Sequence, residues 1–462
     1  MTQIKDFTKG NITKQLVTFA MPLLLSNLLQ VVYNMVDMVV VGHKLGIDGI
    51  ASVSVGGDIV TFMTFIAMGF ANAGQVIIAQ YIGRGESHKI GRFVGTMSMF
   101  LLSGAIAVST LALIFRDDLL RLMSTPEASY EGALHYSVVC AAGLIFIYGY
   151  NAVSAVLRGM GDSKHPFVFI SIAAVTNLAL DLVLVLGLGM GALGAGLATV
   201  LSQALSFVLS VGFLFRNREK FGLNIRRNEF FIPSGEMLGD LVKLGTPMAI
   251  KMAAIQFSKL FVNSFVNSYA SIEPAVPGFA GIANKFGSIS NLVSAALNTA
   301  GSTMVGQNIA AGEFKRVKKI LLNLAFITVS IAIIFSLLIC VFPEQIFGLF
   351  VTDEESAAAV ALLARGFVPI AVLLFFGSAL RAIMNALLNG SGNYKINFVT
   401  AILDGIVMRI GLALLFGIAL DMKYQGFWLG DALAGFTPFI IGIVFYFSGF
   451  WKKGMKKKEG DK

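Results

Sequence analysis

The chain has 462 residues, of which 56% are hydrophobic and only 13% charged, and its mean hydropathy is +0.79. No water-soluble globular domain of this size has that balance, so the chain is expected to be an all-α integral membrane protein. The formal net charge of +9 does not point to nucleic acid, because the Lys and Arg residues sit in short clusters between apolar runs, where they orient a membrane protein.

The polar start, MTQIKDFTKGNITKQ, has no short apolar core followed by a small-residue cleavage site, so the first span is expected to serve as its own insertion signal. Apolar runs of the length that crosses a bilayer number about twelve. They fall near 15–42, 50–80, 93–115, 133–157, 166–187, 192–215, 240–268, 278–308, 318–342, 358–388, 396–420 and 425–450. An even number of spans places both termini on one side. With that side cytoplasmic, about two dozen Lys and Arg lie on it and roughly four outside, the asymmetry of the positive-inside rule. Lys5, Lys9, Arg84, Lys89, Arg92, Lys164, Arg216, Arg226, Arg227, Lys315, Arg316 and the tail WKKGMKKKEGDK belong to the cytoplasmic set. The opposite loops are acidic, as in Phe342 to Ser356 with Glu344, Asp353, Glu354 and Glu355.

Arg216 to Asp240 is the longest polar stretch between spans and lies near the middle of the chain. The reading is therefore an amino lobe over 1–215, a cytoplasmic linker over 216–239, a carboxy lobe over 240–451 and a basic cytoplasmic tail over 452–462. An internal repeat supports the division. LVTFAMPLLL from Leu16 is echoed by LVKLGTPMAI from Leu241, AQYIGRGESHKIGR from Ala79 by GQNIAAGEFKRVKK from Gly306, and LRGMGDSKHPF from Leu157 by LNGSGNYKINF from Leu388. Six spans per half make the halves parallel repeats about an axis along the membrane normal, and two such bundles rocking about a cleft form a transporter.

Asp37, well inside the first span, is the first residue in the chain to demand a function, because a carboxylate in the hydrocarbon is costly unless it is used. The fifth span adds Asn177 and Asp181 on one helical face, and the sixth adds Thr199 after a glycine-rich approach. Two carboxylates, an amide oxygen and a hydroxyl form a hard, oxygen-only set that suits a proton or an alkali cation and not zinc or copper. Whichever occupant binds shifts the equilibrium between inward- and outward-facing states. Interhelical hydrogen bonding is the alternative role of such residues. Cys140 and Cys340 lie in apolar helical runs and read as core thiols, neither disulfide nor metal ligand.

In these motifs, and over essentially its whole length, the chain resembles the multidrug and toxic compound extrusion family within the superfamily of multidrug, lipid-linked oligosaccharide and polysaccharide flippases. The resemblance rests on YNMVDMVVVG in span one, the AQYIGRGE and GQNIAAGE pair after spans two and eight, and RGMGDSKHP after span four. The cluster of Asp37, Asn177, Asp181 and Thr199 is similar to the amino-lobe cation site of the branch that includes the DNA-damage-inducible transporters and archaeal and Gram-positive drug exporters. The resemblance implies export of cationic or amphipathic compounds from the cell in exchange for protons or sodium, without an organic cofactor. The branch with cation-binding acids in its carboxy lobe is poorly matched, since span seven carries Lys251 and Lys259 where an acid is wanted.

Those two lysines either serve structure or meet an anionic substrate or an acid such as Asp37. Asp404 and Arg409 in span eleven have the spacing of a structural pair. A chamber for flat organic cations is expected from Tyr33, Met35, Met38, Phe62, Met63, Tyr150, Lys251, Phe257, Phe261 and Asn291, whose thioethers, rings and polar heads tolerate varied shapes. No nucleotide-binding loop, nucleophile elbow or selectivity filter is present in the sequence, so an ion-coupled antiporter of the cytoplasmic membrane, working as a monomer, is the leading expectation. A flippase for a lipid-linked cell-envelope precursor is the alternative, kept by the cations Lys251, Lys259, Lys285, Arg381 and Arg409 of the carboxy half.

Overall fold

Helix is the one structure by which a single apolar run satisfies its own backbone inside a bilayer. The computed structural model describes residues 4–123, 125–223, 232–348 and 354–453, and among them every regular element is helical. Nine helices among the described residues are long and apolar enough to cross a membrane: Ile12–Gly46, Asp48–Gly83, Ser87–Ile114, Lys164–Gly187, Gly191–Arg216, Phe314–Val341, Ala358–Gly390, Tyr394–Ala419 and Lys423–Ser448. Glu127–Ala142 and Leu144–Gly159 form a tenth, the fourth in chain order, bent by 51° about Gly143.

The two other expected spans, the seventh and eighth, are helices over Gly235–Ser268 and Ala275–Ala310. They are less apolar than the sequence reading took them to be. Lys251, Lys259, Asn263, Asn284, Lys285 and Asn291 lower their hydropathy, and several of these side chains have partners inside the protein. The protein is thus an all-α membrane protein of twelve helices in two lobes. Spans one and two follow each other almost without a loop, because Gly46 (φ 67°, ψ −157°) turns the chain in a conformation that only glycine adopts freely.

The contacts within the chain define two compact units, Met1–Asp6 with Thr18–Ala249 and Phe7–Val17 with Ile250–Lys462. The division falls inside the seventh helix, just after Pro247, and not at 216–239. Residues 224–231 of the expected linker, Asp353 of the acidic loop and the tail beyond 453 lie outside the described residues.

In the first unit the helices approach through small residues. A Cβ on Gly69 would lie 2.4 Å from the Ala249 backbone, and one on Gly159 would lie 2.9 Å from the Gln75 carbonyl. Cys140 is buried here, as expected.

In the second unit an aromatic core joins Phe279, Phe347, Phe367 and Trp428, with ring centroids 4.9 to 6.0 Å apart. Residues Phe7–Val17 dock on this unit: Arg316 donates to the carbonyls of Phe7 and Lys9 (2.8 Å each) and to Gln15 Oε1 (2.9 Å), and Asn308 Nδ2 donates to Phe7 (3.1 Å). Cys340, expected in the core, is exposed on the surface of its helix. Gly426 and Gly430 form a small-xxx-small pair that seats span twelve on the backbone of span eleven; a Cβ on Gly430 would stand 2.4 Å from the Ala413 nitrogen. Gly430→Leu is expected to push the helices apart and lower stability by about 1–3 kcal/mol. A thermal melt of the purified variant in detergent reads that loss, and an unchanged melting temperature would refute the close seat.

The repeat seen in sequence recurs as backbone geometry. Gly85 (φ 75°) and Gly312 (φ 77°) close the same turn, in which Glu86 N donates to Tyr81 O and Glu313 N to Asn308 O, each at 2.8 Å. Gly161 (φ 86°) and Gly392 (φ 68°) form the second pair. Span five widens into a π-helical segment at Leu182–Gly187, and span eleven does so at Leu403–Val407 and again at Leu415–Ala419, the last lying near the register that the Gly161 and Gly392 pair gives for the segment in span five. Asp181 immediately precedes Leu182–Gly187 and Asp404 lies within Leu403–Val407.

Candidate functional site

Asp37 sits mid-helix in span one and Asp181 at the point where span five loses its regular α-turn. A π-bulge offsets the register by one residue and often marks a functional position. Their relative exposures are 6% and 0%, and Asn177, one turn before Asp181, is 2% exposed. Buried polar groups are ordinarily paired. Here both carboxylate oxygens of Asp181 and both polar side-chain atoms of Asn177 make no hydrogen bond.

The carboxyl groups of Asp37 and Asp181 face each other closely enough to bear on one another's charge. Among the described residues, no lysine or arginine stands among their electrostatic neighbours. Tyr33, one turn before Asp37, and Tyr136 and Cys140 from span four complete the surroundings. Thr199 Oγ1 donates to the carbonyl of Ala195 at 3.0 Å, and Thr199 also meets Tyr136. Its oxygen lone pairs remain available as acceptors.

The structure therefore brings the four expected residues into one region of the first unit, with the two acids in direct opposition. Among the described residues no group of three or more His, Cys, Asp or Glu is arranged to hold a metal ion. Two carboxylates with neutral oxygens form a hard, oxygen-only set, unlike the His and Cys sets that zinc and copper favour. Tyr136 and Cys140 were missed; the signal was their spacing of four in the fourth span, which gives them one face.

The expected chamber residues separate by environment. Met35, Phe62 and Phe257 are 49%, 49% and 59% exposed, while Tyr33, Met38 and Phe261 are half-buried. Met63 and Tyr150 are core positions instead. The Met63 carbonyl accepts from Tyr148 Oη at 2.7 Å, and Tyr150 Oη donates to the Pro166 carbonyl at 2.9 Å.

The second unit holds a polar centre of opposite sign. Arg409, 2% exposed, pairs with Asp404 at 3.4 Å and with Asp431. Lys251 Nζ donates to Asn385 Oδ1 at 2.7 Å and lies 3.8 Å from Asp404, so its acid is Asp404 of the same unit and not Asp37. Arg381 donates to Asn291 Oδ1 at 3.0 Å, and Ser378 Oγ donates to the same oxygen at 3.2 Å. Lys259, Asn291, Arg381, Arg409 and Asp431 border one cavity of this unit. The expected Asp404–Arg409 pair is present, enlarged to a network by residues from spans seven, ten and twelve.

Comparison with known proteins gives three consistent findings. The MatE family model matches residues 22–183 and 247–415. The probable multidrug resistance protein YoeA of Bacillus subtilis is 30% identical over 98% of this chain and 96% of its own length, and the probable multidrug resistance protein YpnP of the same species is 29% identical over 97% of each. Among solved structures, a MOP superfamily transporter from Pyrococcus furiosus, whose binding pocket is described as of reverse polarity, superposes with a TM-score of 0.88 at 22% identity, covering 97% of this chain and 99% of that one.

Proposed function

As this chain belongs to the MatE family of multi-pass membrane transporters, we propose that it is a secondary antiporter that exports amphipathic organic compounds, cations among them, in exchange for protons or sodium. The observation that carries this reading is the facing pair Asp37 and Asp181, buried in apolar helices with no basic residue, among the described residues, to neutralise it. A buried carboxylate pair in that setting needs a mobile positive charge, and the alternation of that charge between the two sides of the membrane is what couples a gradient to export. The binding set is Asp37 and Asp181, with Asn177 and Thr199 supplying neutral oxygens. Met35, Phe62 and Phe257 offer exposed thioether and aromatic surface to the organic cargo. The distribution of Lys and Arg over the loops supports cytoplasmic termini in the cell's inner membrane.

The test is transport of a fluorescent cationic dye in proteoliposomes, with a pH gradient and a sodium gradient imposed separately. Dye movement that follows one of the two identifies the coupling ion. Movement under neither, from folded protein, refutes the antiporter reading. A flippase for a lipid-linked envelope precursor is the second reading, favoured by the basic centre of the second unit, and labelled lipid precursors are then the next substrates.

A further inference from the structure

The two repeats differ in charge along span five and its counterpart, span eleven. In the first unit Asp181 faces another acid; in the second, Asp404 is surrounded by cations. Four basic side chains, Lys251, Lys259, Arg381 and Arg409, meet two carboxylates, Asp404 and Asp431, leaving a formal excess of two positive charges inside one lobe.

The two acids are already engaged. Both pair with Arg409, and Asp404 also serves Lys251. Among the described residues, the hydrogen bond of Arg381 goes to the neutral oxygen of Asn291, with Asp404 and Asp431 acting on it from farther off. Among the described residues, neither Arg381 nor Lys259 forms an ion pair within 4.0 Å. A cation inside a membrane protein is costly unless paired, and burying an unmatched charge is strongly unfavourable.

Both cations border a cavity of about 50 Å³, lined by Lys259, Asn291, Arg381, Arg409, Trp428 and Asp431 among others. A volume of that kind holds a few waters and so accepts a small headgroup. An arginine fork beside a flexible ammonium is the arrangement that recognises phosphate or carboxylate oxygens.

We propose that this cavity in the second unit is an anion-binding site for the phosphate or carboxylate head of an amphiphile, with Arg381 and Lys259 as its ligands. Arg409 and Asp431 stand on the same wall as an ion pair, with Asp404 behind Arg409, and Asn291 orients the Arg381 guanidinium. The site extends the cargo beyond cations to acidic amphiphiles, and it stands whether or not Asp37 and Asp181 couple transport.

The experiment is binding calorimetry on the full-length protein in phosphatidylcholine nanodiscs, with dodecyl phosphate and dodecyltrimethylammonium as ligands of one tail and opposite heads. Dodecyl phosphate is expected to bind the tighter of the two. Lys259→Gln and Arg381→Gln are each expected to weaken it about tenfold or more, the effect of deleting one hydrogen bond to a charged group, with trimethylammonium binding unmoved. Lys259→Arg and Arg381→Lys keep the charge and most of the affinity. Should Arg381→Gln fail to fold, Lys259→Gln gives the same readout from a side chain outside the ion-pair frame. Asp37→Asn is expected to retain dodecyl phosphate binding, so failure of the coupling reading and failure of this one are separable. A parent protein that prefers the trimethylammonium head, or glutamine variants that bind dodecyl phosphate as tightly as the parent, would overturn the site. Lysophosphatidic acid and phenyl phosphate then assign the source: preference for the first identifies a lipid headgroup, comparable binding of both a free organic anion, and either upholds the site.

Discussion

Asp181→Asn and Asp37→Asn are expected to reduce gradient-driven dye export to the leak of protein-free liposomes while leaving the protein folded. An ion shifts a conformational equilibrium only through its different affinity for the two states. An asparagine can neither hold the proton nor attract a cation as a carboxylate does, so that difference disappears. The same substitutions bear on stability in the opposite direction. The Asp181 oxygens make no hydrogen bond, so the replacement strands no partner and removes a buried charge. The apparent melting temperature is therefore expected to stay level or rise as transport is lost, the trade-off that functional sites impose. Export at the parent's rate from either variant would exclude the acid pair from coupling. Lost export accompanied by a fall in melting temperature would make the pair structural.

Arg409→Met acts on the other unit and is expected to be the most damaging single change there. Arg409 is nearly inaccessible and faces both Asp404 and Asp431, so its loss leaves two carboxylates inside the helices with less compensation. Removing one partner of a buried ion pair costs about 3–5 kcal/mol. The expected result is a large drop in melting temperature in detergent. Partial recovery is expected in Arg409→Met combined with Asp431→Asn, since the formal excess returns to two positive charges while Asp404 keeps Lys251. A single variant as stable as the parent would show that the network is solvated from the cavity and contributes little.

These two expectations show different degrees of legibility in the sequence. Asp37 was legible at once, because a carboxylate amid apolar residues stands out by composition alone. Asp181 and Asn177 followed from their four-residue spacing. Arg409 was expected to pair with Asp404, although five residues on a regular α-helix separate two side chains by about 140°. The pair forms because span eleven widens at Leu403–Val407, which turns the two toward each other. Its second acid, Asp431, comes from span twelve and is brought there by the glycine seat at Gly426 and Gly430.

The sequence by itself determined the membrane class, the helical spans, the internal repeat and the positions of the intramembrane charges. These are local properties: a bilayer of fixed thickness demands a run of fixed length, and its interior penalises each charge where it stands. The tertiary structure alone decided which polar side chains meet, because helix rotation, π-turns and close packing at small residues set the facing of residues far apart in the chain. Lys251 thus finds Asp404 and not Asp37, Tyr136 and Cys140 turn toward the acid pair, and Met63 and Tyr150 pack the core. For the same reason residues Phe7–Val17 join the second unit, through hydrogen bonds across roughly 300 positions that no periodicity announces.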